Sequence, residues 1–533
     1  MVDEAHERSL STDLLLGLLR KVQVRRGGDL RIMLSSATLD VSPMVDFFGG
    51  KDRVAVVDVR GRSYPVEILY CKEAPVEDFL KAAENAVRSI HRRSLELEKD
   101  LNSHGILVFV TSPEDVLDLV ASLSFDALEL GIQPLALFAS LPMKDQQKAL
   151  EFSSKNLRKV VVATNVAESS LTVPGISYVI DCGLQKSKVF NPNGSLNSLC
   201  IVPISKATAK QRAGRAGRIG PGICFRLYSE QFTQESMAQS TPPEILRCEL
   251  TTALLQLKAL GIENILKFPF PTKPRAESIA HALDVLHSIG ALDSDGRLTE
   301  DVGSHLIELP LSPQTGRCLV EAWHLGCEQE VAAIFAMLEC GGFRVFRTGA
   351  SQQWKALEKS IAPFAVAEGD LLSLLNVYQA YQDSGRSSEW CKNRGIFARP
   401  MDQAFEIRLR LLRALPKKYE CGAMKGDLVG KLLRCIISGF HAQIVAVLPD
   451  GTYRAVTTAE RGIGGPRNSR VLNDRRFAPH PGSVLYNRFP SLMVYCNSLE
   501  RPGSEYIHMQ NVTAVPAKMV ADLVPDFYRI SRG

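Results

Sequence analysis

Several short runs in this sequence are apolar from end to end: Ile-Leu-Val-Phe-Val at 106–110, Val-Val-Val-Ala at 160–163 and Tyr-Val-Ile at 178–180. A strand without a polar face is covered on both sides, and that arises in a parallel sheet with helices on each face. Residues 31–35 and 135–138 read as further strands. Helical patterns alternate with them. The spacing of Leu80, Ala83, Val87 and Ile90 predicts a helix over 77–100. Ser112 followed by Pro113 predicts a capped helix running to 130. The first part of the chain is therefore α/β.

Beyond about residue 230 the pattern changes. Residues 244–260 and 276–289 read as helices, and Asp293-Ser294-Asp295-Gly296 as a turn. Helices followed by a small turn-bounded ribbon fit a winged-helix module, placed at 231–302. Residues 303–415 are mostly helical. From about 416 onward, β-like runs at 443–448, 453–457 and 492–496 are separated by Gly, Pro and Asn, which predicts a small β-barrel. A basic, glycine-rich loop at 462–476 lies inside it. A chain of 533 residues needs several cores, so this multidomain division is expected on length as well.

The net charge of +5 does not by itself call for nucleic acid. Its distribution says more. Between Cys182 and Ser229 there is no Asp or Glu, while Lys186, Lys188, Lys206, Lys210, Arg212, Arg215, Arg218 and Arg226 fall there. Such a stretch suits a phosphate-binding surface or, on charge alone, a solvated basic loop. The twelve cysteines include no Cys-x-x-Cys pair, which argues against structural zinc and for a reducing compartment. No apolar run reaches the roughly 18 residues that span a bilayer, and the first residues do not read as a signal peptide.

Four motifs carry chemistry. Asp3-Glu4 is a paired carboxylate: hydrolysis of a nucleoside triphosphate needs one carboxylate for hydrated Mg2+ and another to orient or deprotonate water. Taken alone, it reads better as an acidic surface pair. Ser36-Ala37-Thr38 follows an apolar run, where its hydroxyls relay a change at the metal site or simply cap a helix. Ala163-Thr164-Asn165-Val166-Ala167-Glu168-Ser169-Ser170-Leu171-Thr172 follows a buried strand, at the sheet edge where ligands bind. There Thr164 and Asn165 suit nucleic-acid phosphates. The strongest signal is Gln211-Arg212-Ala213-Gly214-Arg215-Ala216-Gly217-Arg218. Arg215 and Arg218 are three apart and project from one helix face, as two guanidiniums clamping a γ-phosphate would. Gly214 and Gly217 would let a backbone or nucleotide approach.

In this order and spacing, the motifs resemble those of the DEAH-box helicases of superfamily two. Pro203-Ile204-Ser205-Lys206-Ala207, Pro243-Glu244-Ile245-Leu246-Arg247 and His480-Pro481-Gly482-Ser483-Val484-Leu485 extend the resemblance over essentially the whole chain. It implies a remnant of a first RecA-like lobe at 1–60, a second lobe at 61–230, a winged helix, a helical ratchet-type domain and an OB-like barrel at 416–533. It also implies residue roles. Asp3 would hold Mg2+ through water, and Glu4 would activate the hydrolytic water. Gln211, Arg215 and Arg218 would contact the γ-phosphate. His6, Ser36 and Thr38 would couple the nucleotide site to RNA, and Thr111, Thr164 and Asn165 would touch the RNA backbone. Residues 188–200 would form a β-hairpin that separates strands or guards the RNA exit. ATP or another nucleoside triphosphate, Mg2+, RNA and a glycine-rich-patch activator protein are the implied ligands and partners. A monomer and a nuclear rather than cytoplasmic place are implied too.

Three departures stand out. No Gly-x-x-Gly-x-Gly-Lys-Ser/Thr loop occurs in the sequence. Pro174 stands where family members often have a ribose-proximal Asp, and Leu150 where they often have an adenine-stacking Phe, with Phe152 close by. Without the loop's amides and lysine, the β- and γ-phosphates lose their cradle. The expectation is therefore the C-terminal portion of an ATP-dependent RNA helicase, with residues 1–60 poorly folded in isolation. By itself it would have little ATPase activity and residual salt-sensitive RNA binding. A non-enzymatic short form competing with a full-length helicase, or a sequence missing its first exons, are the alternatives.

Overall fold

The computed structural model describes residues 1–37, 41–59, 64–72, 78–94, 104–139, 141–151, 157–168, 171–192, 196–346, 354–416, 427–456, 475–500 and 504–525. The chain divides into two compact units. One comprises 1–8, 32–187 and 200–243, the other 9–31, 188–199 and 244–533. No described helix is long and apolar enough to cross a membrane.

The first unit is built on strands β1 (Val66–Tyr70), β2 (Gly105–Phe109), β3 (Ile132–Leu137), β4 (Arg158–Ala163) and β5 (Ile176–Asp181). After the hairpin strands β6 (Leu184–Asn191) and β7 (Leu196–Pro203) comes β8 (Gly222–Arg226). Six of these form one sheet, in the order β1-β8-β5-β2-β4-β3, and every pairing is parallel. The expected parallel α/β sheet is thus present, and its burial follows the sequence pattern. Ile106, Val108, Val160 and Val162 join one core with Val87 and Ile90 of helix Phe79–Ser94 and Leu119 of helix Pro113–Ser124. The alternate residues Leu107, Phe109, Val161 and Ala163 join a second core with Ala149, Ala213 and Cys224. The two side-chain sets of each strand point to opposite faces, so both faces need apolar residues.

Local differences from the sequence reading have physical causes. The helix beginning at Pro113 stops at Ser124 and restarts as Ala127–Leu130, ending at Gly131 with φ +70°. The 31–35 run is not a full strand: only Leu34 makes a parallel bridge, with Val2, because no further described residue extends that ladder. The helix expected from 244 starts at Thr251, preceded by a 3-10 turn at Glu244–Leu246. Two of the eight cations in the acid-free stretch face inward. Arg226 is buried and donates to the Tyr70 hydroxyl at 2.6 Å, and Arg212 is fully enclosed. Burying their charges is tolerable only because each has partners, and it removes both from any phosphate-binding surface.

The second unit is largely helical, with a barrel at its end. In helix Leu10–Arg25, an added Cβ at Gly17 would come within 2.5 Å of the Phe268 ring, so only glycine permits that approach. Helix Ala276–Ser288 leads to the expected turn, where Gly296 takes φ +72° and Leu292 bridges Leu298. Helix Glu328–Glu339 is buried from Val331 through Met337 and packs against helices Asp370–Asp383 and Ala398–Ala414. The barrel comprises β9 (Ile444–Val447), β10 (Tyr453–Ala455), β11 (Arg476–Pro479), β12 (Leu492–Leu499) and β13 (Tyr506–Ala514). It closes in the order β10-β11-β13-β12-β9. Val445, Tyr453, Phe477, Met493 and Ile507 fill it. Most of the basic 462–476 loop lies outside the described residues; Arg475 and Arg476 are described.

Candidate functional site

The Asp-Glu-Ala-His segment is stitched to residues 33–35 by backbone bonds. Val2 N–H donates to Met33 O at 2.8 Å, Ser35 N–H to Val2 O at 2.9 Å and Ala5 N–H to Ser35 O at 3.0 Å. Glu4 (φ +50°) and Arg8 (φ +48°) bracket the 3-10 turn Ala5–Glu7 in left-handed conformation. For residues with a Cβ this costs roughly 1–2 kcal/mol each, and such strain collects at functional sites. Asp3 is exposed. Its Oδ1 accepts from the Ser35 hydroxyl and from Glu4 N–H, and these bonds hold its carboxyl below the usual range. Ser36 lies exposed beside Ser35, and Thr38 lies outside the described residues.

His6 joins two motifs far apart in sequence. Its Nδ1 accepts from Ala37 N–H at 3.3 Å and lies 3.3 Å from Glu4 Oε2. Its Nε2 is 2.9 Å from the Gln211 side-chain amide. With Nδ1 accepting, Nε2 carries the hydrogen and Gln211 would meet it through oxygen, the amide's two ends being interchangeable by a half-turn.

Ser205 caps the helix that carries Gln211, Lys206–Gly214, by accepting from Thr208 N–H at 3.1 Å. The α-helix ends before Arg215, and Arg215–Gly217 continues as a 3-10 turn. Positions three apart eclipse in that geometry, so Arg215 and Arg218 still share a side. Arg215 donates to Leu171 O at 3.4 Å, and Arg218 to the Thr172 hydroxyl. Burial first, then the neighbouring Arg218 charge, pulls Arg215 down to about 10, so it remains a cation at neutral pH. The glycines divide the expected roles. A Cβ at Gly217 would lie 2.6 Å from Tyr64 O, whereas Gly214 faces open space.

Thr111 and Thr164 follow adjacent parallel strands, β2 and β4, at their carboxyl ends. Both are mostly buried, while Asn165 is exposed. The Thr111 hydroxyl donates to Asp115, and Thr164 N–H donates to Leu137 O at 3.2 Å. Ligands of open parallel sheets collect at such an edge. The hairpin expected at 188–200 is present as β6 and β7.

Sequence reasoning gave no separate role to Arg212, which is 1% exposed. It reaches Glu168 Oε1 at 2.7 Å and Asp181 Oδ1 at 2.9 Å and lies 4.9 Å from the Phe109 ring centre. Asp181 also accepts from the Tyr228 hydroxyl at 2.9 Å. Burial alone would lower the Arg212 pKa, but Glu168 and Asp181 raise it. This network ties the segment after β4 and the end of β5 to the helix leading to Arg215. Asp181 ends β5, whereas Glu168 follows the 3-10 turn Asn165–Ala167 beyond β4, so no single stretch of sequence marks the pair.

The residues suit part of a nucleotide and its metal. Asp3 is exposed and ionised, as a water-mediated Mg2+ contact requires. Among the described residues, no three His, Cys, Asp or Glu side chains converge on a metal. An ion held by Asp3 would keep water and take phosphate oxygens, as Mg2+ does. Gln211, Arg215 and Arg218 suit the terminal phosphate.

Comparison with known proteins places the chain in a family. Residues 89–220 match the family described as "Helicase conserved C-terminal domain", and residues 282–311 match "Helicase associated domain (HA2), winged-helix". The Homo sapiens protein named "Probable ATP-dependent RNA helicase DHX35" is 38% identical over 99% of this chain and 73% of its own length. Its Caenorhabditis elegans homolog is also 38% identical, over 99% of this chain and 70% of its own. Pre-mRNA-splicing factor ATP-dependent RNA helicase prp22 of Schizosaccharomyces pombe is 34% identical over 100% of this chain and 43% of its own.

Proposed function

The chain belongs to the DEAH-box RNA helicases, a family of nucleoside-triphosphate hydrolases, and from that membership and the geometry above we propose that it acts on single-stranded RNA as part of an ATP-driven translocase. Asp3 holds the hydrated Mg2+, which supplies charge neutralisation at the phosphates. Glu4 orients and deprotonates the attacking water. Gln211, Arg215 and Arg218 bind the γ-phosphate. His6, Ser36 and Thr38 pass the state of that site to Thr111, Thr164 and Asn165, which grip the RNA backbone. The observation that carries this reading is the 2.9 Å meeting of His6 with Gln211, which unites two motifs 205 positions apart.

The proposed layout assigns 1–60 to a first RecA-like lobe and 61–230 to the second. A winged helix follows at 231–302, a ratchet-type domain at 303–415 and an OB-like barrel at 416–533. A nuclear role in RNA processing is supported by the similarity to a pre-mRNA-splicing factor. The proposed partner is a glycine-rich-patch activator, and the proposed state is a monomer. These 533 residues contain no Gly-Lys-Ser/Thr phosphate loop, so tested by themselves they bind RNA but hydrolyse little ATP.

RNA binding is tested by fluorescence anisotropy of labelled oligouridine. Thr164→Ala with Asn165→Ala is expected to weaken binding several-fold while the thermal melt stays in place. Unchanged affinity in the double variant would contradict the assignment.

A further inference from the structure

Two cysteines of the second unit meet inside its helical part. Cys327 and Cys435 are 108 positions apart in sequence, yet their sulfurs lie 3.7 Å apart. Both are buried, and both are free thiols. The nearby Cys318 is engaged differently, its thiol reaching Gln314 O at 3.3 Å and Ile436 O at 3.9 Å.

Cys327 occupies a tight corner between helices. Helix Pro313–Leu325 ends at Gly326, with φ +71°, and Cys327 is the N-cap of helix Glu328–Glu339, where its side chain makes no capping bond. Cys435 meets it from helix Leu428–Phe440. Lys431 lies one turn before Cys435 on that helix and donates to Leu325 O at 3.2 Å, so its ammonium reaches the same corner.

The two thiols are unequal. The hydrogen bond from Cys435, with help from the Lys431 charge, draws the Cys327 thiol below its ordinary range against burial and the Glu330 and Glu328 charges. The same bond, followed by burial, pushes Cys435 up. Cys327 is therefore the readier thiolate, and attack on an oxidant follows the thiolate. A disulfide places its sulfurs about 2.0 Å apart, so this pair has roughly 1.7 Å to close.

We propose that Cys327 and Cys435 are a peroxide-sensitive pair that closes into a disulfide and fastens the Gly326 corner to helix Leu428–Phe440. The Cys327 thiolate attacks one oxygen of hydrogen peroxide. The O–O bond breaks, Cys327 becomes a sulfenic acid, and the departing hydroxide takes up the proton that the thiol had released. The Cys435 sulfur then attacks the Cys327 sulfur. The S–S bond forms, the S–O bond breaks, and the second hydroxide leaves with the Cys435 proton. Two thiols have lost two electrons, and the peroxide has become two waters. A small thiol reverses the bond by exchange. The closed loop encloses the helices between the two cysteines, and a cross-link over so long a loop restricts the unfolded chain strongly.

The test is peptide mass spectrometry on the full, folded chain. Protein purified under reductant is treated with hydrogen peroxide, its remaining thiols are blocked with N-ethylmaleimide in urea, and it is digested without reductant. The expected product is the Cys327 peptide joined to the Cys435 peptide, two hydrogens lighter than their sum and separated by dithiothreitol. The urea midpoint of the second unit is expected to rise on oxidation of the wild type and to stay in place in Cys435→Ala and in Cys327→Ser, which keeps a residue favoured at an N-cap. In Cys435→Ala, dimedone is expected to label Cys327 as the sulfenic acid. Both thiols recovered alkylated after excess peroxide would overturn the proposal. So would Cys327 joined to a different cysteine, or a linked peptide that forms only when peroxide meets the urea-unfolded chain.

Discussion

Arg212 shows how one buried side chain organises the chemistry around it. Replacing it with Ala strands Asp181, which is fully buried, and Glu168 without their counter-charge. Removing one partner of a buried pair typically costs about 3–5 kcal/mol. Arg212→Ala is therefore expected to lower the first unit's stability by about that much in denaturant titration, and Arg212→Lys to recover only part, lacking the planar fork. Asp370 gives a pH-dependent counterpart. Burial raises its carboxyl to about 6, against 3.8 ordinarily, despite bonds from Ser483, Val484 and Val512. The fold thus holds a proton that the unfolded chain releases. Asp370's contribution is complete below about pH 4 and is lost as pH rises through about 6. In Asp370→Asn, the amide end would face a backbone N–H, costing about 1–3 kcal/mol. Melts of both proteins from pH 4 to 7 should show the wild-type advantage shrinking as pH rises. Asp3, Glu4, His6, Gln211, Arg215 and Arg218 could be singled out in the sequence because each motif is contiguous, but the meeting of His6 with Gln211 could not. Nor could the Arg212 network, because its acids lie on separate segments that only folding brings together.

Elements were legible where burial is set by local pattern. Strands β2 and β4 are apolar on both faces, so their sequences alone dictate a covered parallel sheet. The 31–35 run looked similar, yet only Leu34 pairs, because a strand also needs a neighbour that its own sequence does not specify. The barrel's strands were visible as short runs, but its closure was not. It includes a parallel β11–β13 pairing between segments about thirty residues apart, which no local turn encodes. Close helix packing was equally hidden. An added Cβ at Gly439, in helix Leu428–Phe440, would lie 2.2 Å from Gln314 O and 2.5 Å from Cys318 Sγ of helix Pro313–Leu325. Gly439→Ala favours an isolated helix, but overpacking of this kind costs about 1–3 kcal/mol. A lowered unfolding midpoint of the second unit is the expected result.

Across the molecule, membership of the DEAH-box helicases and the proposed residue roles lead to a divided expectation. Arg215 and Arg218, proposed to grip phosphate, the His6–Gln211 contact, and Thr111, Thr164 and Asn165, proposed to hold RNA, lie in one unit, so RNA binding is expected to survive in these 533 residues. Hydrolysis also needs backbone amides and a lysine around the β- and γ-phosphates, and the sequence contains no loop of that type. The most direct test is steady-state ATP hydrolysis by the purified chain, with and without saturating oligouridine. Hydrolysis near background in both conditions, from protein that binds the RNA, is predicted. RNA-stimulated hydrolysis abolished by Glu4→Gln would contradict the account.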